Sequence, residues 1–247
     1  MADSRAAVVW GQVAAHAAAQ DRSASVVDVC AVAASSTGVS GAWVTASSGQ
    51  DPDFVLYVIG PVSEQLAELQ LTLGEGPCHD VLAAAAPVLA VDLGDAESAS
   101  RWPVFAPEAH RLGAPAIFAF PLMVGAIRAG VMGLYRSTPG PLDTAHFGDA
   151  LILADAAAML LLGSAAGGPV IDGAGLAGQA PDLILRRAEI DQATGMLTVQ
   201  LGVPVAEAFA RLRAYAYTSD RRLAEVAADI VARRLRLPRD PPPDSGP

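Results

Sequence analysis

Two-thirds of the way along this chain the composition breaks. Between residues 163 and 182 stand six glycines (Gly163, Gly167, Gly168, Gly173, Gly175, Gly178), two prolines and few large apolar side chains. Such a stretch has too much backbone freedom and too little apolar surface to join a core, so it reads as a flexible linker between two pieces. The spacing Gly173-x-Gly175-x-x-Gly178 within it matches the dinucleotide-binding fingerprint. That fingerprint needs a buried strand before it and a helix opening at its third glycine. Only Val170 and Ile171 precede it and Pro181 follows, so the spacing is read as linker.

Charge divides at the same place. The chain has no lysine, and ten of its 16 basic residues fall in 183–239 against six acids, a net of about +4. Residues 1–182 carry six arginines and 18 acids, about −12. A basic piece on an acidic carrier points to a polyanionic partner held at one end.

At 52% hydrophobic residues, the chain can build a real core, although much of that fraction is alanine, which favours helix over packed volume. The richest apolar run, residues 150–162, is interrupted by Asp155 and falls short of the roughly 18–20 apolar residues of a membrane span. The start of the chain runs through Asp3 and Arg5 into an amphipathic pattern, unlike a signal peptide. Cys30 and Cys78 give neither a disulfide framework nor a zinc spacing. The expectation is a cytoplasmic protein with reduced thiols and no membrane or metal.

Before the linker the periodicity predicts helices over 5–20 and 25–36, then strands over 43–47 and 54–59 separated by a turn that includes Gly49, Asp51 and Pro52. A helix over 63–71, a strand over 87–92 and a helix over 104–112 follow. Residues 117–124 and 130–135 form a hairpin across a turn at 125–128, and a long helix covers 143–162. Helices first and last around a mostly antiparallel sheet make an α+β sandwich. The last helix is apolar nearly all round. Leu151, Leu153, Ala154, Ala157, Leu160 and Leu161 cannot all face one sheet, so it is expected to pair with the N-terminal helix and with a second subunit, giving a homodimer.

The densest run in this half is Leu69-Gln-Leu-Thr-Leu-Gly-Glu-Gly-Pro-Cys-His-Asp80, read as a tight loop close to the sheet. Cys78 beside His79 is either an activated thiol, one end of a metal site or a buried structural cysteine. Trp102 is either core or pocket wall. With Arg101-Trp102-Pro103, Phe120-Pro121-Leu122 and Gly133-Leu134-Tyr135-Arg136, the run resembles the GAF domains of actinobacterial regulators over roughly residues 20–162. The resemblance implies a six-stranded antiparallel sheet with flanking helices, often dimeric, and a pocket between sheet and covering loops for an unidentified small-molecule ligand. Cys78, His79 and Trp102 are the ligand or redox candidates. Neither a cyclic-nucleotide residue set nor a chromophore anchor is found, and no cofactor is assigned.

After the linker, Pro181-Asp182 opens a helix whose face is Leu183, Ile184, Arg187, Ile190, Ala193, Leu197 and Leu201, ended by Gly202. Pro204 opens a second, with Val205, Ala208, Phe209, Leu212 and Ala216 inward. Ser219-Asp220 is expected to cap a third, carrying Leu223, Val226, Ala227, Ile230, Val231 and Leu235 until Pro238. Three helices with short loops form a compact bundle. The arginine pairs Arg186–Arg187 and Arg221–Arg222 near helix ends are candidate phosphate contacts. Arg211, Arg213, Arg233 and Arg234 fit a solvated face as well as RNA contact, and Tyr215 or Tyr217 could stack on a base.

Arg187 with Ile190-Asp191-Gln192-Ala193, Gly195-Met196-Leu197, Glu207-Ala208-Phe209, Leu212-Arg213, Ala216, Arg221 with Leu223, and Val226-Ala227 resemble the ANTAR domain from about Leu183 to Leu237. The resemblance implies a three-helix module that binds short tandem RNA hairpins and so prevents a terminator from forming. RNA contact is expected at Arg186, Arg187, Gln192, Thr194, Arg213, Arg221 and Arg222, with the Gln192 amide reading base edges. The family often has lysine where this chain has Thr194, which keeps a hydrogen bond but loses a phosphate contact.

The expected organisation is a GAF-like sensor and dimerisation domain at 1–162, the linker at 163–182, an RNA-binding domain at 183–239 and a disordered tail at 240–247. No P-loop, G-x-S-x-G or H-E-x-x-H motif argues for an enzyme. The alternative reading is a ligand or redox sensor whose helical end contacts a protein partner.

Overall fold

The computed structural model describes residues 2–47, 54–165 and 180–238. The turn expected between the first two strands, most of the glycine-rich linker and the tail at 240–247 lie outside them. The chain divides into two compact units, Met1–Pro181 and Asp182–Pro247.

The first unit opens with two helices, α1 (Ala2–Ala18) and α2 (Val26–Ser36), then strands β1 (Gly41–Ala46) and β2 (Phe54–Ile59). Helices α3 (Ser63–Leu73) and α4 (Pro77–Ala84) lead to the short strand β3 (Val88–Ala90). Helices α5 (Ala96–Arg101) and α6 (Phe105–Arg111) precede the hairpin β4 (Ala116–Val124) and β5 (Ile127–Arg136), and α7 (Thr144–Ala165) closes the unit. The sheet is antiparallel throughout, in the order β2-β1-β5-β4-β3. The resemblance implied six strands; five are present among the described residues.

This sheet is buried on both faces, and the two-residue strand period sorts its side chains into two cores. Ala42, Val44, Phe118, Phe120, Leu122, Met132 and Leu134 pack with α1, α2 and α7. Trp43, Ile117, Ala119, Val131 and Tyr135 pack with α3, α4 and α6. The second core depends on a glycine. A Cβ at Gly133 would lie 2.1 Å from the Trp43 ring, so only a bare strand position lets that indole lie flat against β5.

Small residues on the inner side of α7 (Ala150, Ala154, Ala156, Ala157, Ala158) let it lie close to β4 and β5, and Leu153 is fully buried with them. Helix α7 is long and apolar enough to cross a membrane, yet this inner face packs on the sheet and on α1 and α2. Arg5 of α1 clamps Asp149 of α7 through two hydrogen bonds of 2.6 and 2.7 Å. The buried Asp28 fastens α1 to α2. It accepts from both terminal nitrogens of Arg22 (2.6 and 2.7 Å), the Ser25 amide (2.8 Å) and His16 Nδ1 (2.7 Å).

Two short helices were not anticipated. The stretch read as a tight loop becomes helical at Pro77, because proline suits a first helical position and Val81 and Leu82 then point into the core. Helix α5 starts where Asp95 accepts from the Ser98 amide (2.7 Å), a cap with no apolar periodicity behind it. The hairpin turn is also tighter than expected, since β5 already begins at Ile127.

The second unit holds α8 (Ala180–Leu201), α9 (Val205–Thr218) and α10 (Leu223–Val231). Ile190, Ala193, Leu197, Ala208, Leu212, Ala216, Leu223, Val226, Ala227, Ile230 and Leu237 form its interior. Helix α8 begins at Ala180, ahead of the cap expected at Asp182. Ser219-Asp220 does not cap the third helix. Ser219 closes α9, its hydroxyl donating to the Tyr215 carbonyl (2.6 Å), and Asp220 turns the chain with φ 51°. Helix α10 is consequently short, starting at Leu223 behind Arg222 and ending at Val231.

Candidate nucleic-acid interface

The inner stripe of α8 leaves the opposite positions facing outward: Gln192, Gly195 and Val199 are exposed, Val199 at 83%. Together with Met196 and Gln200 they form one wall of an open groove of about 760 Å³. Ile230, Arg233, Leu235 and Arg236, from α10 and the segment behind it, form the other. Gln200 fixes the end of the groove by donating to the Leu237 carbonyl (2.7 Å). The lining carries amides, apolar carbon and two guanidinium groups, and no carboxylate.

Ion pairing sorts the arginines of this unit. Arg187 meets Asp191 (2.7 Å) and Arg211 meets Glu207 (2.6 Å), both one helical turn apart. Arg221 and Arg234 share Asp229 (2.6 and 2.7 Å), and the two cations hold that carboxyl below its ordinary range. Arg213 lies 5.5 Å over the Phe209 ring. The side chains of Arg233 and Arg236, by contrast, meet no carboxylate among the described residues, and both are exposed. At the groove the described residues thus leave two guanidinium charges without a carboxylate.

The expected RNA-contact residues separate accordingly. Gln192 borders the groove and is exposed. Arg186 is half-buried, Arg222 is the residue before α10, and Arg187, Arg213 and Arg221 have the partners described. Thr194 is the correction: it is 6% exposed and its hydroxyl donates back to the Ile190 carbonyl (2.7 Å), so it belongs to the inner stripe and offers nothing to a ligand. The spacing from Ile190 carried that signal. Arg233 and Arg236 line the groove, although the sequence gives no sign of Arg236 and leaves Arg233 readable as a solvated side chain. Tyr217 is 49% exposed and Tyr215 half-buried.

In the first unit the ligand or redox candidates are built into the fold. Gly74 ends α3 in the left-handed region, and Glu75 Oε1 accepts from the Val104 and Phe105 amides (2.8 and 2.5 Å), capping α6. Gln70 Oε1 accepts from the Cys78 amide (2.8 Å), and His79 Nε2 donates to the Gln70 carbonyl (3.0 Å). Trp102 is 3% exposed and its indole N–H donates to Asp80 (3.1 Å). Burial pushes the Cys78 thiol up to about 12, against smaller opposing effects of Gln70 and Trp43, so it carries no thiolate at neutral pH. Cys30 is buried on the other face of the sheet and its thiol is likewise raised. No group of three potential metal ligands occurs among the described residues.

Known proteins agree with this two-part construction. The GAF domain of a phosphoenolpyruvate-protein phosphotransferase from Coxiella burnetii superposes with a TM-score of 0.50 at 14% identity, covering 66% of this chain and 98% of that one. The corresponding Acinetobacter GAF domain gives 0.48 at 15% identity, covering 65% and 97%. No curated protein matches the chain. At such identity the likeness speaks for fold: the first unit is a GAF-like α+β sandwich. Residues 184–231 match the ANTAR domain family. The chain thus joins a GAF-like fold in its first unit to a region in its second that matches the ANTAR domain.

Proposed function

We propose that this protein is a cytoplasmic transcription antitermination regulator that binds RNA stem-loops through its ANTAR domain, taken as residues 183–239. The observation that carries the reading is the groove between α8 and the end of α10, where an exposed amide lies together with two arginines that have no carboxylate partner among the described residues. Unpaired loop bases can be read by the Gln192 amide while guanidinium groups hold phosphate. Arg233 and Arg236 are the first phosphate contacts. Arg186, Arg187, Arg213, Arg221 and Arg222 extend the basic face, those with carboxylate partners contributing less. The segment between α7 and α8 is taken as linker and 240–247 as tail. Titrating the full chain with a panel of RNA hairpins at two salt concentrations tests the proposal. Binding should be selective among hairpins and fall steeply with salt; absent or salt-insensitive binding refutes it and leaves a protein-contacting module.

The GAF domain, residues 1–162, is proposed as sensor for a small molecule and as dimeriser. Val8 on α1 and Leu151 and Met159 on α7 are large apolar residues left exposed, Met159 at 60%. A second copy covering them would complete the burial of α7. Met159→Glu should then halve the mass seen by light scattering; a dimer surviving it, or a monomeric wild type, contradicts this part. Leu153 is unsuitable for that test, because its side chain lies inside the subunit's own core.

A further inference from the structure

Two residues bordering the α8–α10 groove run against local helix chemistry. Gly195 stands inside a 22-residue helix, where alanine would hold the helix better. A Cβ built there meets nothing within 4 Å, so packing within the protein does not require glycine. Gly11, Gly148 and Gly163 are equally open, but none of them lines this groove. Arg233 is the second case. Its amide donates to the Ile230 carbonyl (3.0 Å) and the Arg234 amide to the Asp229 carbonyl (2.8 Å), the paired bonds of a Schellman turn. The turn puts Arg233 at φ 59°, a position that favours glycine. Helix α6 ends in the same turn with Gly113 there, at φ 85°, and α1 and α9 with Asp21 and Asp220, a residue type that tolerates the left-handed region better than arginine does. The chain thus has glycine where alanine suits the helix and arginine where glycine suits the turn, both on one groove. Such conflicts collect at binding sites.

Resting on the RNA reading above, we infer that this groove receives a single unpaired nucleobase from the bound RNA loop. The missing side chain at Gly195 lets the flat ring approach the helix backbone, against the carbon of Met196 and Val199. The Gln192 amide, with donors and an acceptor, faces the edge of the base. Arg233 and Arg236 hold the phosphates on either side. Two cations without a carboxylate in the lining favour an anionic chain over an apolar protein helix as occupant.

The test uses the full chain and a hairpin pool with a randomised loop, from which the tightest binder is taken and each loop base is replaced in turn by an abasic residue. Gly195→Ala and Arg233→Gly both relieve a local conflict, so thermal melting should show each variant at least as stable as wild type. Gly195→Ala should weaken the selected hairpin by about tenfold, and the largest abasic penalty seen with wild type should vanish in this variant. Arg233→Gly should lower the salt slope by about 1 while leaving that penalty in place. If wild type selects no salt-sensitive hairpin, the RNA reading fails and this assignment with it. If a hairpin is selected but Gly195→Ala binds it as wild type does, or every abasic penalty persists, the base site is overturned while RNA binding stands.

Discussion

In the GAF-like unit every arginine is answered from within the fold: Arg5 by Asp149, Arg22 by Asp28, Arg101 by Asp80, Arg111 by Glu108, and Arg128 and Arg136 by the carbonyls of Leu82 and Pro141. In the ANTAR unit Arg187, Arg211, Arg221 and Arg234 are answered too, but Arg233 and Arg236 have no carboxylate partner among the described residues. The same side chain is architecture in one place and an available charge in the other. What separates the cases is whether the fold brings an acceptor, a carboxylate or a backbone carbonyl, to the guanidinium. Composition alone marked the whole of 183–239 as basic, whereas the structure puts on one groove two arginines that have no carboxylate partner among the described residues.

The contrast can be broken hardest in the first unit. Removing Asp28 leaves Arg22, His16 and the Ser25 amide without their acceptor, so Asp28→Ala should cost on the order of 3 kcal/mol in denaturant unfolding. The native carboxyl should also show in the pH dependence. Burial raises it, but Arg22, His16 and Ser25 together outweigh burial and hold it below its ordinary 3.8. Its contribution is therefore complete above that value and disappears as pH falls through the lower folded one. Wild type should lose stability in that acid window more steeply than Asp28→Ala. Equal acid profiles would remove Asp28 as the fastener.

Cys78→Ser comes next. A hydroxyl in place of a buried thiol should cost about 1–2 kcal/mol, read by the same denaturation. With no thiolate at neutral pH, oxidant should leave the RNA affinity of wild type unchanged. An oxidant response lost in the mutant would restore the redox reading of this unit. The smallest effect is expected at Thr194→Val, which exchanges a hydroxyl bonded to its own helix for a methyl. Stability should stay within about 1 kcal/mol and hairpin affinity should not move; a several-fold loss of affinity would return Thr194 to the contact surface.

How much of this could be read beforehand follows from the range of the forces involved. The strands of the hairpin and the long helix α7 announce themselves because burial imposes a period on many residues. Helices α4 and α5, of eight and six residues, are too short to carry one, and the glycines, proline and aspartates in and around them read equally well as loop. Ser219-Asp220 misled for a related reason: side chains that cap a helix start also tolerate the left-handed turn after a helix end. The i,i+4 pairs Arg187–Asp191 and Glu207–Arg211 are legible in spacing. The same rule would give Asp229 to Arg233. The turn at Arg233 breaks the helical register, so Asp229 takes Arg234 and the more distant Arg221 instead. Which arginines remain available is thus decided by a turn and a tertiary contact.

In the proposed function, RNA is held by the arginine charge of the α8–α10 groove. The most direct measurement is the salt dependence of hairpin binding by the full chain, compared across wild type, Arg236→Gln and Arg211→Gln. Wild type should lose affinity steeply with salt, Arg236→Gln should flatten the log–log slope by about 1, and Arg211→Gln, already paired with Glu207, should leave it unchanged. Identical slopes for the two variants, or binding indifferent to salt, would contradict the account.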